Sequence, residues 1–175
     1  RKPIVTQMVE NGLEQLMPLG KPDSPTPGER QHSIGIPVRF APGDNGTIDL
    51  IGYLDFWYPQ HNLVVDLKTT AKAPSKWSLS HGIQAAVYQK AVHAMTGEKP
   101  AVKFLYCLTR KKDPYIWLEM EDADYYLASF KRTVTQLEKL LRLSNDSRDI
   151  IAALPHNPDS FYWSDAQDIA AQFYD

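Results

Sequence analysis

Apolar residues recur at helical spacing through Val5, Val9, Leu13 and Leu16, which predicts a short amphipathic helix from Ile4 to Met17. The Pro-, Gly- and Ser-rich stretch from Pro18 to Gly28 ends it. Glu29 to Phe40 reads as a strand, and Pro37, which lacks an N–H, suits an edge or a bulge there. Gly43, Asp44, Asn45 and Gly46 signal a turn. Ile48 to Tyr58 then reads as one strand, Pro59 to Asn62 as a turn and Leu63 to Lys68 as the return strand. Ser78 or Ser80 caps a helix running to about Thr96, with Gly97 as its stop signal. Ala101 to Thr109 is apolar enough for a buried strand, with Pro114 to Met120 as its partner. The stripe of Tyr126, Phe130, Val134, Leu137 and Leu141 predicts a longer helix packed on a core. The tail from Pro155 to Asp175 carries aromatic residues and a short helical pattern from Ser164. The order of helix, three strands, helix, two strands, helix indicates an α/β (α+β) fold, a central mixed sheet flanked by helices.

The hairpin has a definite register. If Tyr58 pairs with Leu63, then Trp57 meets Val64, Phe56 meets Val65 and Asp55 meets Asp66. Alternation places Tyr53, Asp55, Asp66 and Lys68 on one face, and Leu54, Phe56, Leu63, Val65 and Leu67 on the other. Carboxylates with Cβ atoms roughly 5 Å apart repel each other, and a divalent cation would compensate.

At 175 residues the chain suits one domain, read as spanning residues 1–175. The absence of an initial methionine at Arg1 points to a missing N-terminal segment. Hydrophobic and charged fractions of 43% and 23% are those of a soluble globular protein, and no apolar run approaches membrane-spanning length. No secretory signal is visible, so the expected setting is cytoplasmic, in a bacterium or encoded by a phage, or organellar. The lone Cys107 rules out a multi-cysteine metal site and reads as a buried, inert thiol. A net charge of −2 argues against holding nucleic acid by bulk charge. Local basic groups exist at Lys68, Lys72 and Lys76, at Arg110, Lys111 and Lys112, and at Lys131 and Arg132. His32, His61, His81, His93 and His156 show no paired metal-ligand spacing, although His81 stands close enough to the second helix to approach a phosphate.

Asp55, Asp66 and Lys68 suit metal-dependent phosphodiester hydrolysis. Hard carboxylate oxygens hold Mg²⁺ or Mn²⁺ while leaving positions for water and a phosphate oxygen. The Leu67 carbonyl offers a neutral third ligand, and the Lys68 ammonium can orient water or stabilise developing charge. Gln84 and Tyr88, four apart on one helix face, can contact a phosphate or a base, or hold the lysine. Lys76 and Trp77 add a cation and a stacking plane, although Trp77 could equally cap the core.

Three motifs in order, Gly52-Tyr53-Leu54-Asp55, Val64-Val65-Asp66-Leu67-Lys68-Thr69-Thr70 and Gln84-Ala85-Ala86-Val87-Tyr88, resemble the PD-(D/E)XK nucleases. The last looks like the Q-x-x-x-Y motif of their RecB-type exonuclease branch, which includes phage exonucleases. The resemblance covers roughly Glu29 to Met120. It implies a restriction-endonuclease-like αβββαβ core, a divalent metal on Asp55, Asp66 and the Leu67 carbonyl, and Lys68 as the catalytic lysine. The implied substrate is DNA, single-stranded or at duplex ends, attacked from an end in recombination, repair or phage DNA processing. Many members of that branch carry a histidine ligand on a helix before the first aspartate. No histidine precedes His32 here, and the spacing does not choose between Glu10 and Glu14 as an acidic substitute. Some relatives carry an iron-sulfur cluster, for which this chain lacks cysteines, so none is expected. The competing readings are a catalytically silent nucleic-acid-binding module with the same fold and a structural subunit. Strand polarity and oligomeric state are left open by the sequence.

Overall fold

The structure is a computed structural model that describes residues 2–25, 27, 29, 31–39 and 47–153. The predicted turn at Gly43 to Gly46, His156 and the tail from Pro155 onward lie outside the described residues. The elements are α1 (Lys2–Leu16), β1 (His32–Arg39), β2 (Thr47–Leu54), β3 (Phe56–Tyr58) and β4 (Leu63–Thr70), followed by α2 (Leu79–Thr96), β5 (Ala101–Leu108), β6 (Tyr115–Glu119), α3 (Ala123–Leu141) and α4 (Ser147–Ala152). Two compact units divide the chain, residues 1–130 and 131–175.

In the first unit β1 and β2 form an antiparallel pair, and β3, β4, β5 and β6 form a four-stranded sheet in that order. β4 and β5 run parallel while the other neighbours are antiparallel, so the sheet is mixed as expected. Pro37 sits on β1, whose one neighbour among the described residues is β2, where a missing N–H leaves no central ladder broken. Each face of the sheet has its own core. On one face Val64, Val102, Phe104 and Tyr106 pack with Ala85, Ala86, Ala91 and Val92 of α2. On the other, Val65, Leu105 and Cys107 pack with Met8 and Leu16 of α1. Cys107 is fully buried there, and burial pushes its thiol up from the usual range, which suits an inert role.

The expected hairpin forms in the expected register, with Phe56 opposite Val65, Trp57 opposite Val64 and Tyr58 opposite Leu63. Its first strand, however, is not continuous from Ile48 to Tyr58. A bend at Asp55 splits it, so the ladder stops one pair short of the aspartates. The bend also reverses the parity of the strand. Leu54 packs in the α2-side core with Val64, whereas Phe56 packs on the α1 side with Val65 and Leu67. Simple alternation had placed Leu54 with Phe56. An aspartate side chain can substitute for a ladder partner, and Asp55 Oδ2 accepts the Leu67 N–H at 3.0 Å.

Ser78 is the cap of α2, its hydroxyl accepting from His81 N at 3.2 Å, and Gly97 ends the helix in the left-handed region at φ 79°. Alanines let α2 approach the sheet closely, and Gly82 lets α3 approach α2. A Cβ built on Gly82 would overlap the Tyr126 ring. Alanine is intrinsically the better helix former by about 1 kcal/mol, but the overlap forces a packed ring to move. Gly82→Ala is therefore expected to destabilise the protein by about 1–3 kcal/mol in urea unfolding, with recovery when Tyr126→Leu is added.

Tyr126 and Leu127 of α3 pack on the α2-side core as the stripe predicted. Farther along the helix, Leu137 is 44% exposed, so the stripe is not core throughout. In the second unit, α4 starts after a turn in which Asp146 pairs with Arg148 at 2.8 Å and Ser144 donates to Asp149 at 2.7 Å. This short helix was not foreseen. Among the described residues no helix is long and apolar enough to cross a membrane.

Candidate active site

A cleft of about 490 Å³ lies where the end of β2, the middle of β4 and the first turns of α2 meet. Asp55, Asp66 and Lys68 all line it, together with Gln31, Tyr53, Gln84 and Tyr88. A larger hollow of about 630 Å³ adjoins it along β1 and β2, sharing Gln31, Ile51 and Tyr53. Among the described residues its lining carries one carboxylate, Glu29, and no ammonium or guanidinium group.

Asp66 is 2% exposed. Burial pushes its carboxyl up to about 6; Lys68 opposes that rise and the charge of Asp55 adds to it. Lys68 Nζ lies 2.7 Å from Asp66 Oδ2 and 5.0 Å above the Phe104 ring, an ion pair resting on an aromatic face. The Lys68 ammonium is the charged donor to Oδ2. The other oxygen, Oδ1, accepts from Gln84 Nε2 at 3.3 Å.

Asp55 is held differently. Gln31 Nε2 donates to its Oδ1 at 2.6 Å while the Leu67 N–H holds Oδ2. N–H and C=O of one strand residue point to the same edge, so the Leu67 carbonyl faces the edge that Asp55 occupies. Gln84 Nε2 also donates to Tyr88 Oη at 2.7 Å, and that hydroxyl donates to the Tyr53 carbonyl at 2.8 Å. Burial pushes the Tyr88 phenol up to about 12, so it stays protonated. A Cβ added at Gly52 would press on Ile34 at 3.3 Å and touch the Tyr88 ring at 3.4 Å.

Gln84 and Tyr88, expected from sequence as nucleic-acid contacts, thus spend these polar atoms inside the protein, bracing both aspartate-bearing segments. Lys76 lies outside this cleft and lines a neighbouring one. Trp77 packs edge-on against Phe104 at 4.6 Å and donates its indole N–H to the Glu119 carbonyl at 2.9 Å, the core-capping arrangement. Glu10 and Glu14 are exposed on α1, and among the described residues no third His, Cys, Asp or Glu joins Asp55 and Asp66. His61 contacts the Leu19 carbonyl and His32 the Asp23 carboxylate.

Gln31, Phe104 and Tyr106 were missed. Phe104 and Tyr106 had a signal, because the parallel register sets them beside Asp66 and Lys68. Gln31 had none, since it precedes its strand and meets Asp55 only through the fold of β1 on β2.

Two carboxylates and an ammonium thus share one cleft of a mixed sheet flanked by helices, an α/β arrangement. The model of the PD-(D/E)XK nuclease superfamily matches residues 10–157, and the chain belongs to that superfamily. The structure named "Putative exonuclease" from Eubacterium rectale shares the fold, with a TM-score of 0.54 and 18% identity over 87% of this chain. This chain covers 55% of that protein, about half its length. The structure of SSO0001 has a TM-score of 0.49 and 11% identity, over 85% of this chain and 67% of that one. No curated protein gives a significant match. Nucleases of this superfamily generally use divalent metals, and the donor set here fits one. Asp55 and Asp66 bring hard carboxylate oxygens to one cleft, and hard cations of the Mg²⁺ type bind through one or two carboxylates while keeping several waters.

Proposed function

We propose that this protein is a metal-dependent deoxyribonuclease, an exonuclease of the RecB type that hydrolyses phosphodiester bonds in DNA recombination, repair or phage DNA processing. The observation that carries this reading is the buried Asp66 paired with Lys68 in a cleft shared with Asp55. Asp55, Asp66 and the Leu67 carbonyl would hold Mg²⁺ or Mn²⁺. When bound, such a cation acidifies a water and neutralises phosphate charge. Gln84 keeps the Asp66 carboxylate oriented, and Gln31 and the Leu67 N–H keep Asp55 at the bend. The attacking water gives up a proton to solvent as its oxygen bonds to phosphorus, the bond to the leaving oxygen breaks and that oxygen takes up a proton from solvent, while the Lys68 ammonium stabilises the charge that builds on the phosphate oxygens.

A second reading, a silent nucleic-acid-binding module, draws on the lack of a third acidic or imidazole side chain beside Asp55 and Asp66 among the described residues. Labelled single- and double-stranded DNA with Mn²⁺ separates the two. The nuclease reading expects degradation by the wild type, inhibition by EDTA, and loss of cleavage in Asp66→Ala and Lys68→Ala. Binding without turnover supports the silent module, and cleavage that survives both substitutions removes the proposed site.

A further inference from the structure

Lys68 forms a wall between two hollows. On its far side from the aspartates lies a second one of about 300 Å³, lined by Lys68, Lys72, Lys76, Ser78, His81 and Tyr106 among others, with no carboxylate in its lining. Three lysines, of which Lys72 and Lys76 are exposed, line one small hollow, and like charges gathered around it repel one another. Asp66 compensates Lys68, but among the described residues no carboxylate lies within ion-pair distance of Lys72 or Lys76. Apart from Pro74, the uncharged side chains lining the hollow, Thr69, Thr70, Ser78, His81 and Tyr106, are hydrogen-bonding ones. His81 Nδ1 and Tyr106 Oη are 2.7 Å apart. With the phenol as donor, the imidazole carries its proton on Nε2, a second donor. The start of the 18-residue α2 adds partial positive charge at the same rim.

We propose that this hollow is a phosphate subsite, holding on Lys72 and Lys76 a phosphate next to the one cleaved. It rests on the nuclease reading above, because Lys68 is the side chain shared by the two clefts. The ligand is either an internal diester phosphate or the monoester at a strand end, and both present the same oxygens to the lysines.

The test is DNA binding in EDTA, which requires no turnover. Fluorescent single-stranded oligonucleotides are titrated with wild type, Lys72→Ala/Lys76→Ala, Lys72→Arg/Lys76→Arg and, as a matched control, Lys111→Ala/Lys112→Ala at the exposed turn after β5. The alanine pair is expected to weaken binding about 10-fold and to flatten the slope of log K against log salt by about 0.7 to 1, the loss of one phosphate contact. The arginine pair restores both quantities, and the control pair stays close to wild type. An oligonucleotide with terminal phosphates, the same strand with hydroxyl ends and a closed circle identify the source. A loss that persists on the circle marks an internal phosphate, and a loss confined to phosphorylated ends marks the monoester. Wild-type affinity and slope in the alanine pair overturn the subsite, even if Mn²⁺-dependent cleavage is intact. Cleavage that is absent while the alanine pair still binds more weakly removes the nuclease reading and leaves the phosphate site standing.

Discussion

Asp66→Asn is expected to abolish metal-dependent DNA hydrolysis, by more than about 100-fold in kcat, and to make the protein harder to unfold at pH 8. The first effect follows from removing an anionic ligand. The second follows from where the carboxylate sits. In an unfolded chain an aspartate ionises near pH 4, whereas burial holds Asp66 protonated up to about 6 in the folded protein. Between those values the folded state binds the extra proton. The contribution of Asp66 to stability is therefore fully present below pH 4 and is lost as pH rises through 6. At pH 8 the ionised group costs about 3 kcal/mol relative to its neutral form. Asparagine keeps an oxygen for Gln84 and gives up the Lys68 contact, so a net gain of about 1–2 kcal/mol is expected. Urea unfolding at pH 8 and pH 4 checks it. The advantage should shrink toward zero at the lower pH, and a variant less stable than wild type at pH 8 contradicts this account.

Tyr88→Phe is expected to lower kcat about 10- to 100-fold while leaving KM for DNA near the wild-type value. Its hydroxyl is the link between Gln84, which touches Asp66, and the Tyr53 carbonyl two residues before Asp55. Without it the carbonyl loses a donor and Gln84 loses an acceptor, at a cost of about 1–2 kcal/mol in stability. The kinetic split is diagnostic, because a tyrosine that touched DNA would raise KM and weaken metal-free binding. Such a rise with kcat unchanged would return Tyr88 to the role of a nucleic-acid contact.

The sequence was most legible where local rules decide. Ser78 and Gly97 bound α2 as their capping chemistry requires, and Leu63 meets Tyr58 because a short turn and two apolar faces admit one register. It failed at Asp55, where alternation assumes an unbroken strand and a polar side chain replaced a ladder bond. The brace formed by Gln84 and Tyr88 was not legible because their partners, Asp66 and the Tyr53 carbonyl, come from strands 18 and 35 residues earlier. Helical spacing reports that two side chains share a face, and carries no information about what packs there. Trp77 was open to two readings until β5 placed Phe104 against it.

The break in the strand at Asp55 gives that residue mechanical importance. It is the joint between the two-stranded arm and the larger sheet, and it also supplies one of the proposed grips on an ion. Ile34 and Leu54 seat the arm in the α2-side layer, so any tilt of the arm would load that packing and the grip together.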